Sequence, residues 1–280
     1  MTKQFLTLLI CATLLISCSP TKKQFGLAVI ENAADTTLSR EAVLQIRSLN
    51  NNVFDSATFK GNEQIAIKYR LFKPTSAAAA AKYPLVVVYH GSGRPVGTDN
   101  TSQLGVLPKL FAGSAIQQKY PAYVLAPQFP TRSSDYITDS TRNLLRSEAR
   151  PVLNSVLQLI DSLKSTLNID EKRIYVIGFS MGGSTAINSL SARPELFAAG
   201  ISIAGIPQFD KLPALEALPI WLIHGMNDTE NQINSDEQFY KEKKHAILFW
   251  KLKETTHDNV FSTTILGETM PKWLFKQRRK

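Results

Sequence analysis

Cysteine is nearly absent: the 280-residue chain holds two, Cys11 and Cys18, both within the first 20 residues. No disulfide can staple the body of the protein, so stability must come from an apolar core. A chain of this length with 44% hydrophobic residues can bury one. A membrane-spanning run is also missing from the body; Phe5 to Ile16, broken by Thr7, Cys11 and Thr13, is too short to cross a bilayer comfortably. There is no strip of interleaved basic and aromatic residues, which argues against nucleic-acid binding despite a net charge of +9. The basic residues are scattered apart from Lys276-Gln277-Arg278-Arg279-Lys280. They read as a solvated surface with a basic helix end rather than as a patch for anionic lipid or polysaccharide. No internal repeat and no second domain boundary interrupts the chain.

The N-terminus reads as an address. Lys3 precedes the apolar stretch from Phe5 to Ile16, the build of a signal-peptide core. Leu15-Ile16-Ser17-Cys18 then resembles a bacterial lipobox, with Ile16 a less usual residue before the small Ser17. The expectation is a lipoprotein signal peptide over 1–17 and a lipidated Cys18 as mature N-terminus. Acyl chains there would anchor a soluble domain to the membrane of the cell envelope. Residues 18–60 are expected to be a tether and an ill-defined segment, with a short helix over Leu38 to Leu49. The tether lacks an acidic run, which favours the periplasmic side. An ordinary secretory signal with Cys18 incidental is the alternative.

From residue 61 to 280 the pattern is that of one catalytic-sized domain. Glu63 to Phe72 alternates apolar and polar residues, as a half-buried strand does. Leu85-Val86-Val87-Val88-Tyr89, Tyr123-Val124-Leu125-Ala126, Ile174-Tyr175-Val176-Ile177, Ala199 to Ile203, Ile220-Trp221-Leu222-Ile223 and Ile247-Leu248-Phe249-Trp250 are continuous apolar runs. Such runs suit strands buried on both faces. Helical patterns separate most of them; Val152, Val156, Leu159, Ile160, Leu163 and Leu167 fall on one helical face. Strands alternating with helices predict an α/β fold with a mostly parallel central sheet and helices on both faces.

Reactive groups in such a sheet gather at the carboxyl ends of strands. Gly178-Phe179-Ser180-Met181-Gly182 directly follows one run and precedes a helical pattern from Met181 to Ala192. A serine hydroxyl is a poor nucleophile until a base takes its proton, and an imidazole titrates in the right range to do so. Of four histidines, His257 alone follows the last strand run; His245 precedes it, His90 precedes the serine, and His224 reads as a structural turn residue. Asp228, after Ile220 to Ile223, is the candidate carboxylate to orient the imidazole, with Asp210 and Asp236 as rivals that follow no strand directly. Backbone donors for an oxyanion are expected from Met181 N–H and from Ser92 N–H in the loop His90-Gly91-Ser92-Gly93.

The G-x-S-x-G turn and the order Ser180, Asp228, His257 resemble the α/β-hydrolase superfamily over roughly residues 63–275. Lys82 to Gly93, Gly97-Thr98-Asp99-Asn100, Ala126-Pro127-Gln128 and Arg173 to Gly183 resemble its esterase and "predicted peptidase" group, akin to polyhydroxybutyrate depolymerases, feruloyl esterases and carboxylesterases. Relatives often read H-G-A-G-E-R-G-x-D-N in the first loop, from which Ser92 and Arg94-Pro95-Val96 depart. The resemblance implies a serine esterase with no metal and no organic cofactor, acting on small-molecule or glycan esters through short acyl, acetyl or feruloyl groups. A serine peptidase of small peptides is the alternative; a non-catalytic envelope lipoprotein would require a broken triad. Asp228 to Lys241 leaves little room for a large lid, and no propeller-like gate is present.

Overall fold

The structure, a computed structural model, describes residues 25–31, 36–62, 64–74, 81–93 and 96–280. The signal-peptide and lipidation expectations, Cys18 included, lie outside the described residues. Among those described, nine strands form one sheet: β1 (Gly26–Ile30), β2 (Asp55–Lys60), β3 (Ala66–Phe72), β4 (Tyr83–Tyr89), β5 (Tyr123–Gln128), β8 (Ile169–Phe179), β9 (Ala199–Ile203), β10 (Ile220–Gly225) and β11 (Ile247–Leu252). Their order is β1-β11-β10-β9-β8-β4-β5-β3-β2. β3 pairs antiparallel with both β2 and β5, and every other pairing in the sheet is parallel.

The centre of the sheet forms where the apolar runs predict it, because only strands covered on both sides can be apolar throughout. β5, β9 and β10 are buried at every position. Successive side chains point to opposite faces, so each strand feeds two cores. Val86, Val88, Tyr175, Ile177, Trp221 and Trp250 pack on one face. That face is covered by α1 (Thr36–Arg47), α2 (Val106–Ala112), α3 (Ser114–Lys119), α8 (Thr263–Leu266) and α9 (Thr269–Leu274). Leu85, Val87, Tyr89, Val176, Leu222 and Phe249 pack on the other, under α4 (Val152–Thr166), α5 (Met181–Ala192), α6 (Leu212–Leu215) and α7 (Asn234–Lys243). On α4 the buried positions Val152, Val156, Leu159, Ile160 and Leu163 follow the predicted stripe; the helix stops before Leu167, whose N–H caps it on Leu163 O.

Two parts of the chain differ from the sequence reading. The boundary expected at residue 61 marks no break. β1 extends the sheet in parallel beside β11, and β2 pairs with β3, so residues 26–30 and 55–60 belong to the same body as the rest. α1 packs Val43 and Ile46 against that face of the core. A hairpin also appears after β5, with β6 (Ser134–Asp139) and β7 (Leu144–Ala149) forming a separate antiparallel pair. It is polar in sequence because it sits outside the main sheet. Its root is fastened to α5 by hydrogen bonds of Ser133 and Ser134 Oγ with Thr185 Oγ1 and from Asn188 Nδ2 to Ser134 Oγ.

Candidate active site

β8 runs straight into α5 with one residue between them, Ser180. The chain can reverse so sharply only with backbone strain and with no side chains in the way. Ser180 has φ +57° and ψ −122°, rare for a residue with a Cβ. A Cβ on Gly178 would overlap the Gly182 backbone, and one on Gly182 would strike the carbonyl oxygens of Tyr89 and His90. Ser180 N–H donates to Ile203 O at 2.8 Å, which ties the turn to β9. The result places a serine hydroxyl at the carboxyl end of the sheet on a rigid support.

His257 comes from the loop after β11 and Asp228 from the loop after β10. Ser180 Oγ lies 2.9 Å from His257 Nε2, and His257 Nδ1 lies 2.7 Å from Asp228 Oδ2. Asp228 Oδ1 accepts from the N–H groups of Glu230 and Asn231, each at 2.9 Å, which fixes the carboxylate plane. Burial by itself would raise the Asp228 carboxyl, but hydrogen bonds from His224, His257 and Asn231 N–H hold it well below the usual carboxylate range. It is therefore a full anion facing Nδ1, which in the neutral ring puts the hydrogen on Nδ1 and turns the Nε2 lone pair toward Ser180. The Phe179 ring lies 4.9 Å from the His257 ring, and Phe261 lies 5.0 Å from Phe179; together they wall the imidazole.

The rival acids go elsewhere. Asp210 is exposed and pairs with Arg146 at 3.0 Å. Asp236 is fully buried, 2.7 Å from His224 Nδ1. His224 is the penultimate residue of β10 rather than a turn residue, and its Nε2 meets Asn231 O at 2.6 Å. His245 precedes β11, is exposed, and lies 3.7 Å from Glu216. His90 accepts from Phe129 N–H on Nε2 at 3.0 Å and donates from Nδ1 to Gly91 O at 2.7 Å. That pattern demands the neutral ring, and burial pushes its pKa down to about 4. His90 thus shapes the loop after β4. A Cβ on Gly91 would stand 3.5 Å from Ser180 Cβ, so this loop passes beside the serine.

The two backbone amides expected to serve an oxyanion lie at the start of α5 and in the loop after β4. Met181 N–H is the first of α5 and has no acceptor within its helix. Ser92 is exposed in the loop that passes Ser180. A cavity of about 250 Å³ opens at the loop after β4, lined by His90, Gly91, Ser92, Leu107, Phe179 and Phe261 among others. No group of three His, Cys, Asp or Glu side chains among the described residues is placed to hold a metal.

A serine, an imidazole and a carboxylate in one hydrogen-bonded chain, on a sheet of this order, define an α/β-hydrolase. Residues 71–253 match the model of the dienelactone hydrolase family, and the chain belongs to that family. It is 37% identical over 86 residues to a bifunctional acetylxylan esterase/xylanase of Neocallimastix patriciarum, covering 31% of this chain and 13% of that one. It is 28% identical over 106 residues to acetylxylan esterase A of Emericella nidulans, covering 37% of this chain and 34% of that one. The crystal structure of a thermostable esterase superposes with a TM-score of 0.73 at 31% identity, over 82% of this chain and 64% of the other. The matched region is thus about a third or less of these curated relatives.

Proposed function

We propose that this protein is a serine carboxylesterase that cleaves short acyl esters, with acetyl groups on a polysaccharide as the favoured substrate class. The Ser180–His257–Asp228 chain, with contacts of 2.9 and 2.7 Å, carries the reading. Ser180 Oγ attacks the ester carbonyl while His257 Nε2 takes its proton. Asp228 holds the ring and balances the imidazolium. The N–H groups of Met181 and Ser92 receive the oxyanion. His257 then protonates the departing alcohol, and a water deprotonated by the same nitrogen releases the acid. The substrate class is supported by the names of the two acetylxylan esterases and by a cavity of about 250 Å³ lined by Phe179, the residue before the serine, and by Leu107, which suit a small apolar acyl group.

Initial rates on p-nitrophenyl acetate, butyrate, octanoate and palmitate, beside Ser180→Ala, test the reading. Rates should fall with chain length and drop to the buffer level in the variant. Hydrolysis of small peptides with no ester turnover would establish the peptidase alternative instead. We also propose that the chain is exported and held to the envelope membrane, facing the periplasm, through lipid on Cys18. Cys18→Ala should then move the protein from the membrane to the soluble fraction; unchanged partitioning would refute the anchor.

A further inference from the structure

We propose that His224, held by Asp236, is a positioning residue for the proposed catalytic chain: it keeps Asp228 ionised and aimed at His257, and it limits how basic His257 becomes. The inference rests on the reading of Ser180, His257 and Asp228 as the reacting groups.

His224 is fully buried at the end of β10. Its Nε2 lies 2.6 Å from Asn231 O and 3.4 Å from Asp228 Oδ2. A carbonyl oxygen can only accept, so Nε2 carries a hydrogen. Nδ1 lies 2.7 Å from Asp236 Oδ2. Two lone pairs do not face each other at that distance, so a proton fills this gap as well. His224 and Asp236 together therefore hold one proton more than a neutral imidazole beside a carboxylate. Burial alone would lower the imidazole, but hydrogen bonds to Asp228 and Asp236 outweigh it and lift His224 to about 10. Burial draws Asp236 upward too. The proton stays on the imidazole, because the ring lies between two carboxylates, Asp236 at 2.7 Å and Asp228 at 3.4 Å.

The consequence follows from a shared atom. Asp228 Oδ2 receives both His257 Nδ1, at 2.7 Å, and the Nε2–H side of His224, at 3.4 Å. When His257 takes the serine proton, Asp228 must balance a new imidazolium. An oxygen already facing a cation balances it less fully, so His257 is a weaker base than Asp228 alone would make it. A weaker base stays unprotonated, and ready, to lower pH. The other charged or titratable groups around the chain do not take this place. Glu230 Oε2 lies 3.8 Å from His257 Nε2 on an exposed side chain. Lys251, at the register position of His224 on β11, pairs with Glu237 at 2.5 Å. Tyr136, from the hairpin, is pushed upward by burial and stays neutral.

The test is the pH profile of kcat/KM on p-nitrophenyl acetate for the full chain, His224→Gln and Asp236→Asn. The acidic limb of His224→Gln should move to higher pH by roughly half a unit to one unit, with a plateau about tenfold lower. A folded variant whose loss is uniform across pH, with the acidic limb unmoved, overturns the proposal. Asp236→Asn decides the matter where His224→Gln does not fold. It removes the carboxylate that holds the second ring proton while Nε2–H stays on Asn231 O, so His224 loses its charge and the limb must move the same way by a smaller amount. An unmoved limb there also refutes it. Esterase activity surviving in Ser180→Ala would instead sink the parent reading, and this inference with it.

Discussion

Replacing Asp228 by asparagine changes one atom and should silence the enzyme. Oδ1 of Asp228 faces two backbone donors, the N–H groups of Glu230 and Asn231, at 2.9 Å each. Only a carbonyl oxygen can satisfy them, so the amide of Asp228→Asn has its orientation dictated. Its NH2 group must point where Oδ2 was, at His257 Nδ1 and at His224 Nε2–H. Nδ1 must then accept rather than donate. The ring's remaining hydrogen moves to Nε2, 2.9 Å from Ser180 Oγ, where a lone pair is needed. The imidazole is held as the wrong tautomer and cannot take the serine proton. The same substitution in serine proteases lowers kcat by about 10⁴-fold, equivalent to roughly 5 kcal/mol of barrier. A loss of that order is expected here in kcat on p-nitrophenyl acetate near neutral pH. Slow recovery should occur in alkali, where hydroxide can serve as base. Thermal unfolding should show a folded protein. A folded Asp228→Asn that keeps a tenth or more of wild-type kcat would show that Asp228 does not set the tautomer.

Three other outcomes follow from the same geometry. Ser92→Pro removes a backbone N–H and should cost 10²- to 10³-fold in kcat, roughly, whereas Ser92→Ala keeps that amide and should stay within a few-fold; equal losses in both would place the oxyanion donor elsewhere. Gly182→Ala puts a methyl against the carbonyl oxygens of Tyr89 and His90, which are backbone and cannot swing away. It should destabilise the protein by about 1–3 kcal/mol in urea unfolding and push the β4 loop off Ser180, with loss of esterase rate. His90 gives a pH signature. Its folded-state pKa of about 4 lies below the ordinary 6.5, so between those values the unfolded chain binds the extra proton. Stability should therefore fall as pH drops through that window, by up to about 3 kcal/mol from this group. His90→Gln, followed by urea unfolding at several pH values, should flatten the decline; an unchanged slope would mean His90 titrates normally.

How much could be read beforehand depended on how many faces of each element were buried. β4, β5, β8, β9, β10 and β11 announce themselves because apolar residues fill both sides of each. β6 and β7 do not, because Ser134 and Ser147 are buried as hydrogen-bonding groups rather than as apolar ones. β1 is five residues long, with Leu27 and Val29 exposed, and its place is set by pairing with β11 at the far end of the chain. No local pattern can carry that register.

The site divides along the same line. Ser180, Asp228 and His257 each follow an apolar strand, so topology alone nominates them, and the structure brings the three into one hydrogen-bonded chain. Asp236 follows no strand. It meets His224 because the first turn of α7 packs against the end of β10, twelve residues away in sequence. His224 itself sits four residues before Asp228, a spacing that in a strand and loop predicts no contact. The pair becomes visible only when protons are counted across the buried contacts, since Asn231 O fixes one hydrogen on the ring and Asp236 the other. Residues that react are marked by where the chain turns; those that tune them are marked by what their neighbours can accept. A search for further tuning groups in this family should therefore begin from buried histidines whose two nitrogens both face acceptors.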